Sequence, residues 1–397
     1  MIPVMSYDDD VEASRKSKVP ILDMDTIFVS LASFRDENCW RTIHEVYREA
    51  QYPFRIFCGV VDQRKTDTEE FRRYSCVPFF GSRADNFTAS YVIEEERRRW
   101  LQSGVACSSS VFCPVDNVRI RVMTDREARG PTYGRYVAAL MYRGEMWLLM
   151  IDSHVRFPRH FDVALIHNVK LLPVEKGVLS HYPPEFETFN DTSFDVDRSI
   201  PLAAMCKADY LEEYDVLRHD VEWVNHTPLL LPLLQPFTAA GFLFGDAQLL
   251  QDVPMDPYLP FLFDGEEILY TARLYTHGWN SYMPAQALCY HLYDRRGVPH
   301  VWTVEGNNWT VYEETARRRV HYFLNTTRFH NKSQPLLEEW EITEDVTREE
   351  GKFGLGTERS LKSFYEWICC DSAARQCKRT RCDEMVQLSK KMLLPQG

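Results

Sequence analysis

Residues 146–151 read Met-Trp-Leu-Leu-Met-Ile and run directly into Asp152-Ser153-His154. Six apolar residues are too few to span a bilayer. They suit a buried central strand, although a run this short also fits a helix. Side chains alternate along a strand, so Asp152 and His154 would leave its carboxyl end on the same side. Open α/β sheets bind their ligands at that end, and a carboxylate beside an imidazole offers two donors to a divalent cation. An Asp-x-His triplet arises by chance about once in a chain of this length. A polar turn closing a core strand explains it equally well until the flanking sequence is considered.

That flanking sequence alternates strands and helices. Residues 26–33 (TIFVSLAS) read as a first strand, and Asp36 is placed to cap the helix after it, where Ile43, Val46, Tyr47 and Ala50 share one face. Pro53 ends that helix and residues 54–61 (FRIFCGVV) read as a second strand. Strand, helix and strand within about 35 residues open a parallel βαβ sheet. A charged helix is expected over 90–102, a strand over 118–124 and a helix from Pro131 to 141, ahead of the 146–151 strand. Residues 173–236 are proline-rich and read as long irregular loops. A strand over 237–244, a helix over 266–275 and a last helix over 357–369 complete the pattern, and there is no internal repeat.

Composition narrows the partners. With 45% hydrophobic residues the chain can bury a large core, and a net charge of −12 without a Lys/Arg stripe argues against nucleic acid. Arg97-Arg98-Arg99 and Arg317-Arg318-Arg319 adjoin Glu runs and read as solvated helix faces. No stretch approaches 18 uninterrupted apolar residues, and the first 25 are polar, so a cytoplasmic chain without a membrane segment is expected. Two features point instead to the Golgi lumen, which would require an anchor upstream of Met1. Asn-x-Ser/Thr occurs at six of eleven asparagines (Asn86, Asn190, Asn225, Asn308, Asn325, Asn331). The 11 cysteines include a C-terminal group, Cys369, Cys370, Cys377 and Cys382, with no CxxC metal pair, so disulfides and free thiols are both open.

Six blocks in order carry a family resemblance: Ile27-Phe28-Val29-Ser30-Leu31-Ala32-Ser33-Phe34-Arg35-Asp36; Ala128-Arg129-Gly130-Pro131-Thr132-Tyr133-Gly134-Arg135; Asp152-Ser153-His154-Val155-Arg156-Phe157; Phe263-Asp264-Gly265-Glu266-Glu267 with Arg273-Leu274-Tyr275-Thr276-His277-Gly278-Trp279; His291-Leu292-Tyr293-Asp294-Arg295; and Phe353-Gly354-Leu355-Gly356-Thr357. Over about residues 26–370 the chain resembles the UDP-GlcNAc-dependent polypeptide α-N-acetylglucosaminyltransferases. That family includes cytosolic hydroxyproline-modifying and kinetoplastid mucin-type enzymes and is distantly related to the polypeptide GalNAc-transferases. The resemblance implies an α/β, GT-A-like nucleotide-sugar-binding fold with a central, mostly parallel sheet flanked by helices. It places the catalytic domain at 26–330, after a tail at 1–25 and before a helical extension at 331–397, whose 353–370 part belongs to the match. Arg129, Gly134 and Val155 stand where Lys, Ala and Met are common, which bears on packing and fine specificity rather than on chemistry.

The implied reaction is retaining transfer of GlcNAc from UDP-GlcNAc to a hydroxyl of a protein or peptide acceptor. The resemblance makes His291 the third metal ligand beside Asp152 and His154, for Mn²⁺ with Mg²⁺ also possible. Ser30, Arg35, Arg135 and Arg295 are the expected donor contacts, the arginines because a planar fork matches phosphate oxygens. Glu266 and Glu267 are the candidate catalytic carboxylates; neighbours on a helix point about 100° apart, so one of the two is expected to face the site. His277, Trp279 and Trp302 are candidates for a sugar-stacking wall, with core packing the plainer role for each. Two other functions fit the same residues: a metal-dependent hydrolase of sugar nucleotides or phosphoesters with Glu266 as base, or a silent fold that only binds.

Overall fold

The computed structural model describes residues 25–65, 76, 117–185, 200–212, 216–224, 229–304, 308–326 and 343–391. The expected tail, save Asp25, and the expected 90–102 helix lie outside these residues.

Eight strands form one sheet in the order β3-β2-β1-β4-β10-β6-β11-β9. They are β1 (Ile27–Phe34), β2 (Ile56–Arg64), β3 (Val118–Thr124), β4 (Trp147–Asp152), β6 (Gly177–Ser180), β9 (Leu233–Gln235), β10 (Phe242–Asp246) and β11 (Asn280–Met283). Strands β3, β2, β1 and β4 run parallel, β10 lies antiparallel between β4 and β6, and β11 pairs parallel with β6. This is the mostly parallel α/β sheet expected from the strand–helix alternation.

The centre of the sheet is apolar on both faces because helices cover both. From β4, Leu149 and Ile151 join Ile27, Val29 and Leu31 of β1 beneath α1 (Cys39–Arg48) and α3 (Phe161–Lys170). The alternate residues Leu148 and Met150 join Phe28 on the other face, with Tyr136 of α2 (Pro131–Ala139) and Tyr270 and Leu274 of α4 (Glu266–Thr276). Leu148, Leu149, Met150 and Ile151 are each at most 2% exposed. Full burial stabilises such side chains by about 1.5–3 kcal/mol apiece, so β4 ends on a firm foundation.

Two expectations about the middle of the chain are corrected. Between 173 and 236 the structure holds β6, β9 and an antiparallel hairpin of β7 (Leu202–Leu211) and β8 (Val216–Val224), not only loops. The strand expected over 237–244 is β10, displaced toward the C-terminus because Ala239 and Ala240 form a non-strand approach ahead of Gly241. Two further helices are α5 (Trp309–Leu324) and α6 (Leu361–Trp367), the latter shorter than the 357–369 expected, with Ser360 capping its start through the Ser363 N–H. The last helix, α7 (Thr380–Lys391), is bound to β7 by a Cys206–Cys382 disulfide, and Cys39–Cys76 and Cys370–Cys377 are also bonded. Cys58, Cys289 and Cys369 are free thiols. No helix among the described residues is long and apolar enough to cross a membrane.

Candidate functional site

Strand order turns from 3-2-1 to 4 between β1 and β4, and that switch leaves a crevice at their carboxyl ends. Ala32 of β1 pairs with Asp152, the last residue of β4, so the carboxylate emerges there. The chain then forms β5 (Val155–Arg156), which pairs antiparallel with β12 (Tyr290–His291) and puts His291 opposite Val155. Three ligand atoms from Asp152, His154 and His291 lie within 4.8 Å of one another. His291 Nε2 is 3.2 Å from Asp152 Oδ2, the two imidazole rings are 4.7 Å apart, and His291 Nδ1 is buried without a hydrogen-bond partner among the described residues. One carboxylate oxygen and two imidazole nitrogens, gathered this closely, fit a divalent cation that accepts mixed O and N donors.

Arg135 of α2 spans the carboxylates. Its Nη2 donates to Asp152 Oδ1 at 3.0 Å and its Nη1 donates to Glu266. Burial works against the Asp152 charge, but the His291 hydrogen bond and the Arg135 charge hold its carboxyl well below the usual range. Burial likewise opposes the Arg135 charge, and Glu266, Asp152 and Glu267 together overcome it. Glu266 shares that guanidinium with Asp152, and its burial pushes its carboxyl up. Burial also favours the neutral form of His154, the form that can bind a metal.

Both glutamates reach the cleft, where one was expected, because they open α4 at its N-terminal turn behind Gly265 (φ 105°). Glu266 turns to Arg135. Glu267 accepts from the Ala240 N–H at 2.8 Å and from the Tyr182 hydroxyl at 2.8 Å, and Tyr182 Oη lies 3.0 Å from His219 Nε2.

The cleft encloses about 1360 Å³ and runs from Ala32, Arg135 and the metal triad to the β7–β8 hairpin and Trp302. Arg295 lines it and donates to Asp36 Oδ2 at 2.6 Å. Ser30 lies buried in mid-β1 beside Gly59 and Met150, and Arg35 turns toward Asp125 at 4.0 Å; neither is among the residues lining the cleft. Of the three aromatic candidates only Trp302 lines it. Trp279 packs in the core and donates to Asp252, and His277 Nδ1 contacts the Arg273 carbonyl.

Asp36 departs from its expected role. Helix α1 starts at Cys39 with Asn38 at the N-cap, and Asp36 accepts the Asn38 N–H through Oδ1 while Oδ2 faces His154. Gly241 was also missed: its carbonyl accepts the Asp152 N–H, and a Cβ there would stand 2.7 Å from Asp152 Oδ2. The available signal for Asp36 was its place just beyond β1, at the ligand-binding end of the sheet.

The sequence profile of a family described as Glycosyltransferase (GlcNAc) matches residues 26–374. No curated protein matches the sequence. A solved structure of GalNAc-T7 with UDP, GalNAc and Mn²⁺ superimposes with a TM-score of 0.50 at 12% identity, covering 86% of this chain and 57% of that one. TarS from S. aureus with UDP-GlcNAc follows at TM-score 0.41 and 14% identity, covering 77% and 68%. A mannosyltransferase from Pyrobaculum calidifontis with GDP-Man and Mn²⁺ follows at 0.38 and 11%, covering 81% and 71%. The fold shared with the GalNAc-T7 structure is GT-A-like.

Proposed function

The chain belongs to the glycosyltransferase (GlcNAc) family, and from that premise we propose that it transfers GlcNAc from UDP-GlcNAc, with retention, to a Thr, Ser or hydroxyproline hydroxyl of a protein acceptor. The observation that carries this reading is the Asp152–His154–His291 triad, standing with Arg135 at the switch point between β1 and β4. Mn²⁺ held there would act as a Lewis acid on the diphosphate of the leaving UDP.

The protein's own groups supply the rest. Arg135 fixes Asp152 and places a permanent cation beside the crevice. Arg295, at the crevice rim, is a second fork for phosphate oxygens. As the C1–O bond to the β-phosphate breaks, a bond from the acceptor oxygen forms on the same face, and the acceptor proton passes to the departing phosphate. Glu267, held by Ala240 N–H and the Tyr182 hydroxyl, presents a fixed carboxylate for the positive charge that develops on the sugar. Glu266 is engaged by Arg135, which makes it a poor free base for water and weighs against the hydrolase. Trp302 and the β7–β8 hairpin form the wall available to an acceptor.

The three disulfides among the described residues favour an oxidising, lumenal compartment, and exposed Asn308 and Asn325 agree with it. The test is mass spectrometry of Thr-, Ser- and hydroxyproline-containing peptides incubated with UDP-GlcNAc and Mn²⁺, with NMR of the product's anomeric proton. An α-linked HexNAc adduct is expected. A β-linked product would overturn retention, and free GlcNAc without adduct on any peptide would favour hydrolysis.

A further inference from the structure

Asp36 is fully buried, and its carboxylate gathers four partners from three parts of the chain. Oδ1 accepts the Asn38 N–H at 2.9 Å. Oδ2 accepts the Ser153 hydroxyl at 2.7 Å and Arg295 Nη1 at 2.6 Å, and stands 2.6 Å from His154 Nδ1. Arg295 is a permanent cation, and with the Ser153 hydroxyl and the Asn38 N–H it holds the Asp36 carboxylate as an ionised acceptor.

An ionised oxygen and a ring nitrogen 2.6 Å apart must share a hydrogen, because two facing lone pairs would repel. That hydrogen sits on His154 Nδ1. Arg295 Nη1 is also 2.9 Å from Nδ1, but with that nitrogen protonated the guanidinium has only the Asp36 oxygen to donate to. Protonated Nδ1 leaves Nε2 as the one free lone pair on a ring that lies 4.7 Å from that of His291.

We propose that Asp36 is a positioning residue that fixes the tautomer and ring plane of His154, so that Nε2 is the atom presented to the divalent cation. Asp36 stands two residues beyond the end of β1, and so ties the strand carrying the expected nucleotide end to the metal centre. The inference rests on the metal reading of Asp152, His154 and His291, and it goes beyond that reading by assigning a function to a residue outside the triad. Carboxylates behind metal-binding histidines commonly control affinity by 10–100-fold when removed, which sets the scale here at about that range.

The test uses the full chain without donor, in two measurements. Long-range proton–nitrogen NMR on histidine-labelled protein reads the tautomer of His154, identified by its loss in His154→Gln. Mn²⁺ titration followed by EPR reads affinity for the wild type and for Asp36→Asn. The wild type should show the Nδ1–H tautomer, and Asp36→Asn should bind Mn²⁺ about 10–100-fold more weakly with a mixed tautomer. A purely structural role for Asp36 would lower stability without changing the tautomer. An Nε2–H tautomer in the wild type overturns the proposal, and that spectrum decides the matter even where Asp36→Asn fails to fold. Unchanged affinity in a folded Asp36→Asn also overturns it and leaves the metal site standing. Absence of Mn²⁺ binding by the wild type removes the metal reading and this proposal together.

Discussion

His291 Nε2 stands 3.2 Å from Asp152 Oδ2 across 139 residues of chain. The short β5–β12 pairing makes the contact, so the triad exists only in the folded protein. A cation that binds the folded chain alone stabilises it by about 2.7 kcal/mol at a hundredfold excess over its Kd. Mn²⁺ should therefore raise the melting temperature of the wild type and leave that of His291→Ala unmoved. An equal rise in both would place the ion elsewhere.

Arg135 is 9% exposed and holds two carboxylates apart. Arg135→Ala leaves Glu266 buried without its guanidinium and Asp152 with His291 as its side-chain partner, at a cost of up to about 3–5 kcal/mol in unfolding free energy. Arg135→Lys keeps the charge but reaches only one of them, so the stability loss should shrink while transfer still falls by about tenfold or more. Urea melts and kcat/KM of both variants separate the two effects; full activity in Arg135→Lys would contradict the bridging role.

Gly241 matters for its missing side chain. A Cβ would stand 2.7 Å from Asp152 Oδ2, and the firm end of β4 gives the carboxylate little room to retreat. Gly241→Ala should weaken Mn²⁺ binding and transfer together, at a stability cost of about 1–3 kcal/mol. Calorimetric Mn²⁺ titration checks it, and wild-type affinity would show that Asp152 can move.

His181 is fully buried against Phe242, and burial pushes its imidazole down to about 3, the Tyr182 backbone opposing. Its folded pKa is depressed, so the unfolded chain binds the proton first. The stability it supports is complete above an unfolded pKa of about 6.5 and is lost as pH falls toward 3, with a slope of up to about 1.4 kcal/mol per pH unit. In His181→Phe the acid limb of stability against pH should flatten over that window. Parallel curves for variant and wild type would show that His181 does not contribute to the slope.

Much of this architecture was legible because strong local patterns agreed with the fold. β3 falls on 118–124 as expected, α4 opens at Glu266, and the 146–151 run gives β4. The β7–β8 hairpin was not legible: Leu202–Leu211 reads LAAMCKADYL, rich in helix-favouring Ala, Met, Leu and Lys, and becomes strand only through pairing with β8. Asp36 looked like a helix cap because the local sequence offers that use, whereas its partners His154 and Arg295 arrive from 118 and 259 residues away. Asp152 and His154 could be singled out as neighbours in sequence, but His291 needed the family resemblance, since a lone histidine between Tyr290 and Leu292 carries no metal signal.

The most direct measurement is UDP release from UDP-GlcNAc with Mn²⁺, with and without a hydroxyl-bearing acceptor peptide, for wild type and Asp152→Ala. Peptide-stimulated release that needs Mn²⁺ and drops by about a hundredfold or more in Asp152→Ala is the expected result. Full activity in Asp152→Ala, or in wild type stripped of divalent cations, would contradict the central claim that this triad carries a metal-dependent transfer.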